Sequence, residues 1–382
     1  MGCTVLVNAG PWLTVPPDGY GGIENVLATL VPELRALGVR VVLAAAAGSK
    51  IEVDELIPTV DGPRFRELAA PYPDTVGIAH AHMDVVVRTL RGRDDIDLVH
   101  DHLEVVGPSV LAALGPASPP VLHTMHWDLA KHPDFYAGFD GGGRVWVNGV
   151  SESQLDRAHP RLAAQSLGAV PLGVPLDDFS FEATKDEHFV TLGRCTPGKG
   201  TGTAARLCKE LGLPLRMAGP VAGIPDPEEL DRVLADPDSP AHRYRDVRYY
   251  LDEVRWLEDG DLIRWVGSVT GDERRRLLGR ARGLLMPIRW AEPGATAAVE
   301  ALASGTPVLG FREGVLPSLI EHGVTGFLAD DDRELAEWMT RVDEIDPADC
   351  RRAAEERCSG KLMAERYLGL YEQVTDRTRA HS

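Results

Sequence analysis

What the chain lacks narrows its function first. No apolar run in its 382 residues approaches the roughly 20 needed to span a bilayer. The opening "MGCTVLVNAG" has no basic leader region and passes straight into a strand-like run. It therefore reads as a core strand, not as a signal peptide or a lipidation signal, and the expected compartment is the cytoplasm. An excess of positive charge is missing too. Forty Lys and Arg stand against 58 Asp and Glu, a net charge of −18. That argues against binding a phosphate backbone, so no nucleic-acid partner is expected. The acid is spread out, with solvated clusters such as "DDFSFEATKDE" and "ADDDRELAE". A phosphate ligand would then need a few placed cations and backbone amides. Cysteine is scarce: Cys3, Cys195, Cys208, Cys350 and Cys358, with no CxxC and no Cys/His metal spacing. They read as reduced thiols, and no metal is expected. No GxGxxG follows the first strand, which disfavours a dinucleotide-dependent hydride transfer. No internal sequence repeat is present.

What remains is a chain 44% hydrophobic and long enough for two domains. "CTVLVNA" (3–9) reads as a strand. The next segment carries an apolar stripe at helical spacing: Ile23, Val26, Leu27, Leu30, Val31, Leu34 and Leu37. Pro32 lies inside it, where a kink is expected, and Gly38 ends it. Strand patterns follow at "VRVVLAAAA", "DLVH", "PVLHTMH" and "RVWVNGVS". The pattern restarts at "HFVTLG" (188–193) and continues through "LPLRMAG", "LIRWVG", "GLLMPI" and "TPVLGF", with helices at 199–211 and 295–305. Strands alternating with helices imply an α/β fold of two Rossmann-like, doubly wound parallel sheets. "VPLGVPLDDFSFEATKDE" (170–187) reads as the linker. The Pro- and Asp-dense stretch 221–248 reads as a surface insertion, and 348–379 as helical. Facing domains of this kind make a cleft lined by strand ends and helix N-termini, a setting for phosphate.

Three strings carry the chemistry. "PPDGYGGIENV" places glycines directly before a helix start, which lets backbone approach a ligand closely; a flexible capping loop is the plainer alternative. "LGRCTPGKG" sets Arg194 and Lys199 on a turn between a strand and a helix, which suits a diphosphate clamp or two surface cations. "AEPGATAAVEALASGTPVLG" sets Glu292 and Glu300 eight apart, and the backbone of Gly294, Ala295 and Thr296 at a helix start. Carboxylates suit sugar or ribose hydroxyls; two surface glutamates on an amphipathic helix are the alternative.

Together and in this order, these strings resemble the retaining glycosyltransferases of GT-B fold, family 4. Within that family they are most similar to the avilamycin (orthosomycin) biosynthesis type. "EPGATAAVEALASGTPVLG" resembles the family's E-x7-E motif and the strand after it, and "LGRCTPGKG" its phosphate clamp. "VPLGVPLDDF" resembles its domain-linker motif, and "EHGVTGFLADDD" its C-terminal loop. The resemblance implies a domain at 1–173 on the acceptor side, a nucleotide-sugar domain at 174–360, and a final helix, 361–382, crossing back to the first domain. It gives Gly21 and Gly22 the donor phosphate and acceptor, Arg194 and Lys199 the diphosphate, Glu292 the sugar hydroxyls, Glu300 the ribose, and His126 in "HTMHW" the donor sugar. Asp101, His102 and Asp128 are acceptor-side candidates; a capping or core role is the plainer alternative for Asp101 and His102. His123 reads as a strand residue with a satisfied hydrogen bond. The loops 50–95 and 127–143 would read the acceptor. The family's "EPFG" is "EPGA" here and its "NGV" is Leu172-Gly173-Val174, so a non-standard sugar pocket is expected.

The implied reaction moves a sugar from a nucleotide-diphosphate donor to an acceptor hydroxyl with retention, in antibiotic or other secondary-metabolite biosynthesis. No cofactor or metal is expected, because two cations neutralise the leaving group. Rival readings are a sugar-nucleotide epimerase, a phosphorylase, a glycan or cell-envelope glycosyltransferase, and a non-catalytic sugar-binding protein. Hydrolysis by paired carboxylates is disfavoured, since Glu292 and Glu300 come from one element.

Overall fold

The computed structural model describes residues 2–19, 21–65, 67 and 72–381, with 72–74 as backbone alone. Tyr20 of the glycine-rich string and part of segment 50–95 lie outside the described residues. The chain divides into two units, Met1–Gly173 with Gly360–Ser382, and Val174–Ser359.

The first unit is built on seven strands: β1 (Thr4–Gly10), β2 (Arg40–Ala46), β3 (Glu55–Val60), β4 (Leu98–Asp101), β5 (Val121–Met125), β6 (Val145–Gly149) and β7 (Ser166–Ala169). Their order is β3-β2-β1-β4-β5-β6-β7, and every ladder is parallel. The second unit has β8 (Phe189–Leu192), β9 (Leu215–Ala218), β10 (Ile263–Gly267), β11 (Gly283–Met286), β12 (Val308–Phe311) and β13 (Gly326–Ala329). Their order is β10-β9-β8-β11-β12-β13, again all parallel. This is the doubly wound α/β architecture that the sequence implies. β1 shows why its pattern is a continuous run: all of "TVLVNAG" is buried, as in a strand covered on both faces. In each sheet the strand order reverses once, between β1 and β4 and between β8 and β11. Ligands of open α/β sheets bind beyond the strand carboxyl ends at such reversals.

The helix Gly22–Ala36 buries Val26, Leu27, Leu30, Val31 and Leu34, the 3.6-residue stripe read from the sequence. It runs through Pro32 and stops before Gly38, which takes φ 86°. The C-terminal helix Gly360–His381 packs against it and joins the core of the first unit through Met363, Tyr367, Leu370, Tyr371 and Val374. Leu362 and Leu368 are only half-buried. Polar contacts fix the helix axially: Tyr371 Oη lies 2.8 Å from His100 Nδ1, and Trp146 Nε1 donates to Thr378 Oγ1 at 3.2 Å.

Two segments differ from the sequence reading. Residues 221–248 are not a surface insertion. They form the helical crossover from β9 to β10, with Leu230, Ala241 and Val247 in the core of the second unit. The dense Pro and Asp mark helix starts: Asp226 caps Pro227–Leu234, and Ser239 precedes Pro240 in the turn Pro240–Arg243. Segment 50–95 is not an open loop either, since it holds β3 and the helix Tyr72–Arg91.

Candidate functional site

In the second unit, the loops after β8 and β11 flank the strand reversal. They carry the two strings singled out above, and the fold brings these together. Lys199 Nζ stands 2.6 Å from Glu292 Oε2. Thr196 Oγ1 accepts from the Lys199 N–H at 3.3 Å and starts the turn Pro197–Lys199, which leads into the helix Thr201–Leu211. Gly200 takes φ 71°, and the Pro287 carbonyl occupies the place of a side chain there, so the loops touch only because the residue is glycine. Trp290 packs over Gly198 in the same manner, 3.3 Å from where a Cβ would sit. Arg194 is exposed on this loop, and its charge favours the ionised form of Asp246 against burial.

The loop after β12 braces the Glu292 loop. The Val315 N–H donates to the Glu292 carbonyl at 2.9 Å, and Gly314, at φ 58°, lies against the Glu292 backbone. Gly294 is half-buried, and Ala295 follows in the left-handed region (φ 49°, ψ 49°), capping the helix Thr296–Ala303. A Cβ there stores strain of order 1 kcal/mol. Thr296 is the first helical residue. Glu300 lies further along the same helix, buried, and Arg274 Nη2 donates to both of its carboxylate oxygens, at 2.7 and 2.5 Å. Burial raises the Glu300 pKa, and Arg274 offsets this only in part. Each of the two glutamates thus has its own cation. The sequence reading missed Arg274, which is one arginine in the run "DERRRLLGR" and carries no mark of its own.

In the first unit, β1 and β4 flank the reversal. Gly21 and Gly22 follow β1 and open the helix Gly22–Ala36. Gly21 is extended (φ −176°), and a Cβ on it would fall 2.7 Å from Pro17, so packing requires glycine. Gly22 is exposed, helical and has no protein atom within 4 Å of a Cβ position, so neither packing nor conformation within the chain requires glycine.

Of the two readings of Asp101 and His102, the core role holds and the acceptor contact does not: their relative exposures are 0% and 1%. Asp101 Oδ1 accepts from Asn8 Nδ2 at 2.6 Å, and Oδ2 lies 2.6 Å from His123 Nδ1. A Cβ on Gly107 would strike the same carboxylate. Its partners on β1 and β5 use it as a core group that ties three strands together. Burial works against the charge of His123, but its bonds and attraction to Asp101 and Glu104 outweigh that and push its pKa up to about 9. His126, at the end of β5, is half-buried, and its Nε2 lies 2.9 Å from His102 Nδ1. Asp128 caps the turn Leu129–Lys131 and pairs with Arg157 at 2.8 Å. Glu104 escaped the sequence reading: nothing in "HDHLE" distinguishes it from a surface acid.

Among the described residues no cluster of three or more His, Cys, Asp or Glu is placed to hold a metal ion, and no helix is long and apolar enough to cross a membrane.

Similarity to known proteins fits this arrangement. The model for Glycosyltransferase Family 4 matches residues 20–163, and that for Glycosyl transferases group 1 matches residues 240–343. The D-inositol 3-phosphate glycosyltransferase of Pseudarthrobacter chlorophenolicus is 25% identical over 94% of this chain and 92% of its own. The crystal structure of AviGT4, a glycosyltransferase involved in avilamycin A biosynthesis, superposes with a TM-score of 0.62 at 24% identity, covering 98% of both chains. Anabaena Alr3699/HepE in complex with UDP-glucose does so with a TM-score of 0.66 at 14% identity, over 97% of this chain and 99% of its own. With two parallel doubly wound sheets and these matches, the chain belongs to the GT-B glycosyltransferases of family 4.

Proposed function

We propose that this glycosyltransferase moves a sugar from a nucleotide-diphosphate donor to an acceptor hydroxyl with retention at the anomeric carbon. The observation that carries the reading is the contact of Lys199 with Glu292 shortly before the helix Thr296–Ala303, at the reversal between β8 and β11, with Arg194 exposed on the same loop as Lys199. The complex of HepE with UDP-glucose supports a donor of this class. In this reading Lys199 exchanges Glu292 for the donor diphosphate, and the freed carboxylate takes hydroxyls of the sugar. Arg194 and the N–H groups of the loop ending at Ala295 and Thr296 share the charge that grows on the leaving group, the largest catalytic contribution here. Glu300, oriented by both of its bonds to Arg274, takes the ribose hydroxyls. Gly21 and Gly22 allow close backbone approach, and His126 contacts the sugar. A leaving phosphate oxygen takes the acceptor proton, so the reaction needs no separate base. Two cations supply the neutralisation that a metal would otherwise provide.

The acceptor in this reading is a small molecule of antibiotic or other secondary metabolism. The resemblance of "PPDGYGGIENV" and "EPGAT…SGTPV" to the avilamycin type supports it. Asp101, His123 and Glu104, when ionised, together leave one negative charge beneath the reversal of the first unit. That disfavours a phosphorylated acceptor such as the inositol 3-phosphate named for the Pseudarthrobacter relative. Incubation with a panel of nucleotide sugars tests the reading. Slow release of nucleoside diphosphate from at least one donor, with the donor's anomeric configuration retained in any transfer product, is expected; no release from any donor overturns it.

A further inference from the structure

Two buried groups converge on His126. The first is Glu104, 5% exposed. Its Oε1 accepts the backbone N–H of both His126 and Trp127, the latter at 2.7 Å. Its Oε2 accepts from Tyr136 Oη at 2.5 Å and lies 3.6 Å from His123 Nε2, whose other nitrogen is bonded to Asp101. Burial favours the neutral acid, but His123 and Tyr136 outweigh it and hold the Glu104 pKa down to about 2. A fixed charge therefore grips two successive amides at the end of β5, and sets where the His126 ring begins.

The second group is His102. One proton lies between its Nδ1 and His126 Nε2. Both rings are neutral near pH 7, since burial lowers the His102 pKa well below its ordinary value and that of His126 to about 4. His102 Nε2 is buried without a hydrogen-bond partner. Were His126 the donor, His102 would carry its proton on Nε2 and leave a buried N–H with no acceptor. An unused acceptor is the milder defect and the commoner one. His102 thus donates from Nδ1, and His126, accepting at Nε2, keeps its own proton on Nδ1. That nitrogen is not sealed, and no hydrogen bond involves it among the described residues.

We propose that Glu104 and His102 are positioning residues that present His126 as a neutral Nδ1–H donor to an oxygen of the bound sugar. The ligand half of this proposal rests on the glycosyltransfer reading above; the tautomer does not.

Long-range ¹H–¹⁵N spectra of the full chain with ¹⁵N-labelled histidine test the tautomer directly. His126 is expected to show a protonated Nδ1 and an unprotonated Nε2 between pH 6 and 8. His102→Asn, whose amide nitrogen stands near the place of Nδ1, should keep that signature, and His102→Phe should lose it. An Nε2–H tautomer or an imidazolium in the parent overturns the proposal. The donor role is read from UDP-glucose hydrolysis. An Asn amide mimics Nδ1 and a Gln amide mimics Nε2, so His126→Asn should retain more activity than His126→Gln, which should fall about 10²-fold. Equal rates for the two variants overturn the donor role. A parent that binds and hydrolyses no nucleotide sugar contradicts the function reading, while the spectra still decide the tautomer.

Discussion

Lys199 and Glu292 are 93 residues apart in sequence, and their charged groups stand 2.6 Å apart between the loops that follow two neighbouring strands. The pair is partly exposed, at 23% and 13% for the two side chains, so its rupture should cost about 1 kcal/mol of stability or less. Its catalytic weight is larger if Lys199 turns to the diphosphate. Lys199→Ala should slow donor turnover by about 10²-fold, or roughly 3 kcal/mol. Steady-state release of nucleoside diphosphate, measured beside a melting curve, separates the two effects. A rate within twofold of the parent contradicts the assignment.

Arg274 and Glu300 form the more buried pair. Arg274→Ala leaves a carboxylate without its cation and should destabilise the chain by about 3 kcal/mol at pH 8. Burial then raises the Glu300 pKa further. A carboxyl whose folded pKa is raised loses stability as pH climbs above its unfolded value, so the cost should shrink at pH 5. The double variant Arg274→Ala, Glu300→Gln should recover much of the loss. Urea titrations at the two pH values are the check; equal cost at both would contradict the pairing.

Gly21 and Gly22 are adjacent and should behave oppositely. Gly21→Val drives a side chain into Pro17 and should destabilise by about 1–3 kcal/mol. Gly22→Val meets open space in a helical residue and should leave the melting point within a degree or two of the parent or above it. If backbone at Gly22 approaches the ligand, this stable variant should lose turnover. A fully active Gly22→Val protein would show that no substrate comes near.

Ala295 occupies a left-handed residue that glycine adopts freely. Ala295→Gly should raise the unfolding free energy by roughly 0.5 kcal/mol, because relief of strain exceeds the added freedom of the unfolded chain. A fall in stability would mean that Ala295 is held by its packing.

The His123 imidazolium ties stability to pH. Its folded pKa of about 9 exceeds the unfolded value near 6.5, so its contribution is complete below pH 6.5 and lost as pH rises through 9. The parent should lose about 3 kcal/mol over that window relative to His123→Gln, which lacks the group. Parallel stability curves for the two proteins would contradict a charged His123 between Asp101 and Glu104.

The doubly wound fold was legible because buried parallel strands leave plain apolar runs, as in β1 and β2. The strands that went unread lie at or beside sheet edges. β3 contains Pro58 and is half-exposed, "SLGA" of β7 is half-exposed throughout, and "GFLA" of β13 opens on a glycine between the turn-like "HGVT" and an acidic run. The pairing of Pro with an Asp or Ser cap concealed the helices of 221–248 behind a loop-like composition. At the candidate site, the sequence offered Lys199, Glu292 and Glu300 as residues but not as pairs. Which cation meets which carboxylate depends on the neighbouring of β8 and β11, set by the whole sheet. Asp101 shows the reverse difficulty: a charged residue at a strand end reads equally as a ligand contact or a core group until Asn8 and His123 are seen to enclose it.

The central claim is that the loops after β8 and β11 bind a nucleoside diphosphate. Calorimetric titration of UDP, GDP, ADP and dTDP into the full chain tests it most directly. The account predicts one saturable site for at least one of the four, weakened at least tenfold by Glu300→Gln and abolished by combining Arg194→Ala with Lys199→Ala. Saturable binding that survives all three substitutions, or no binding of any of the four to the parent, would contradict it.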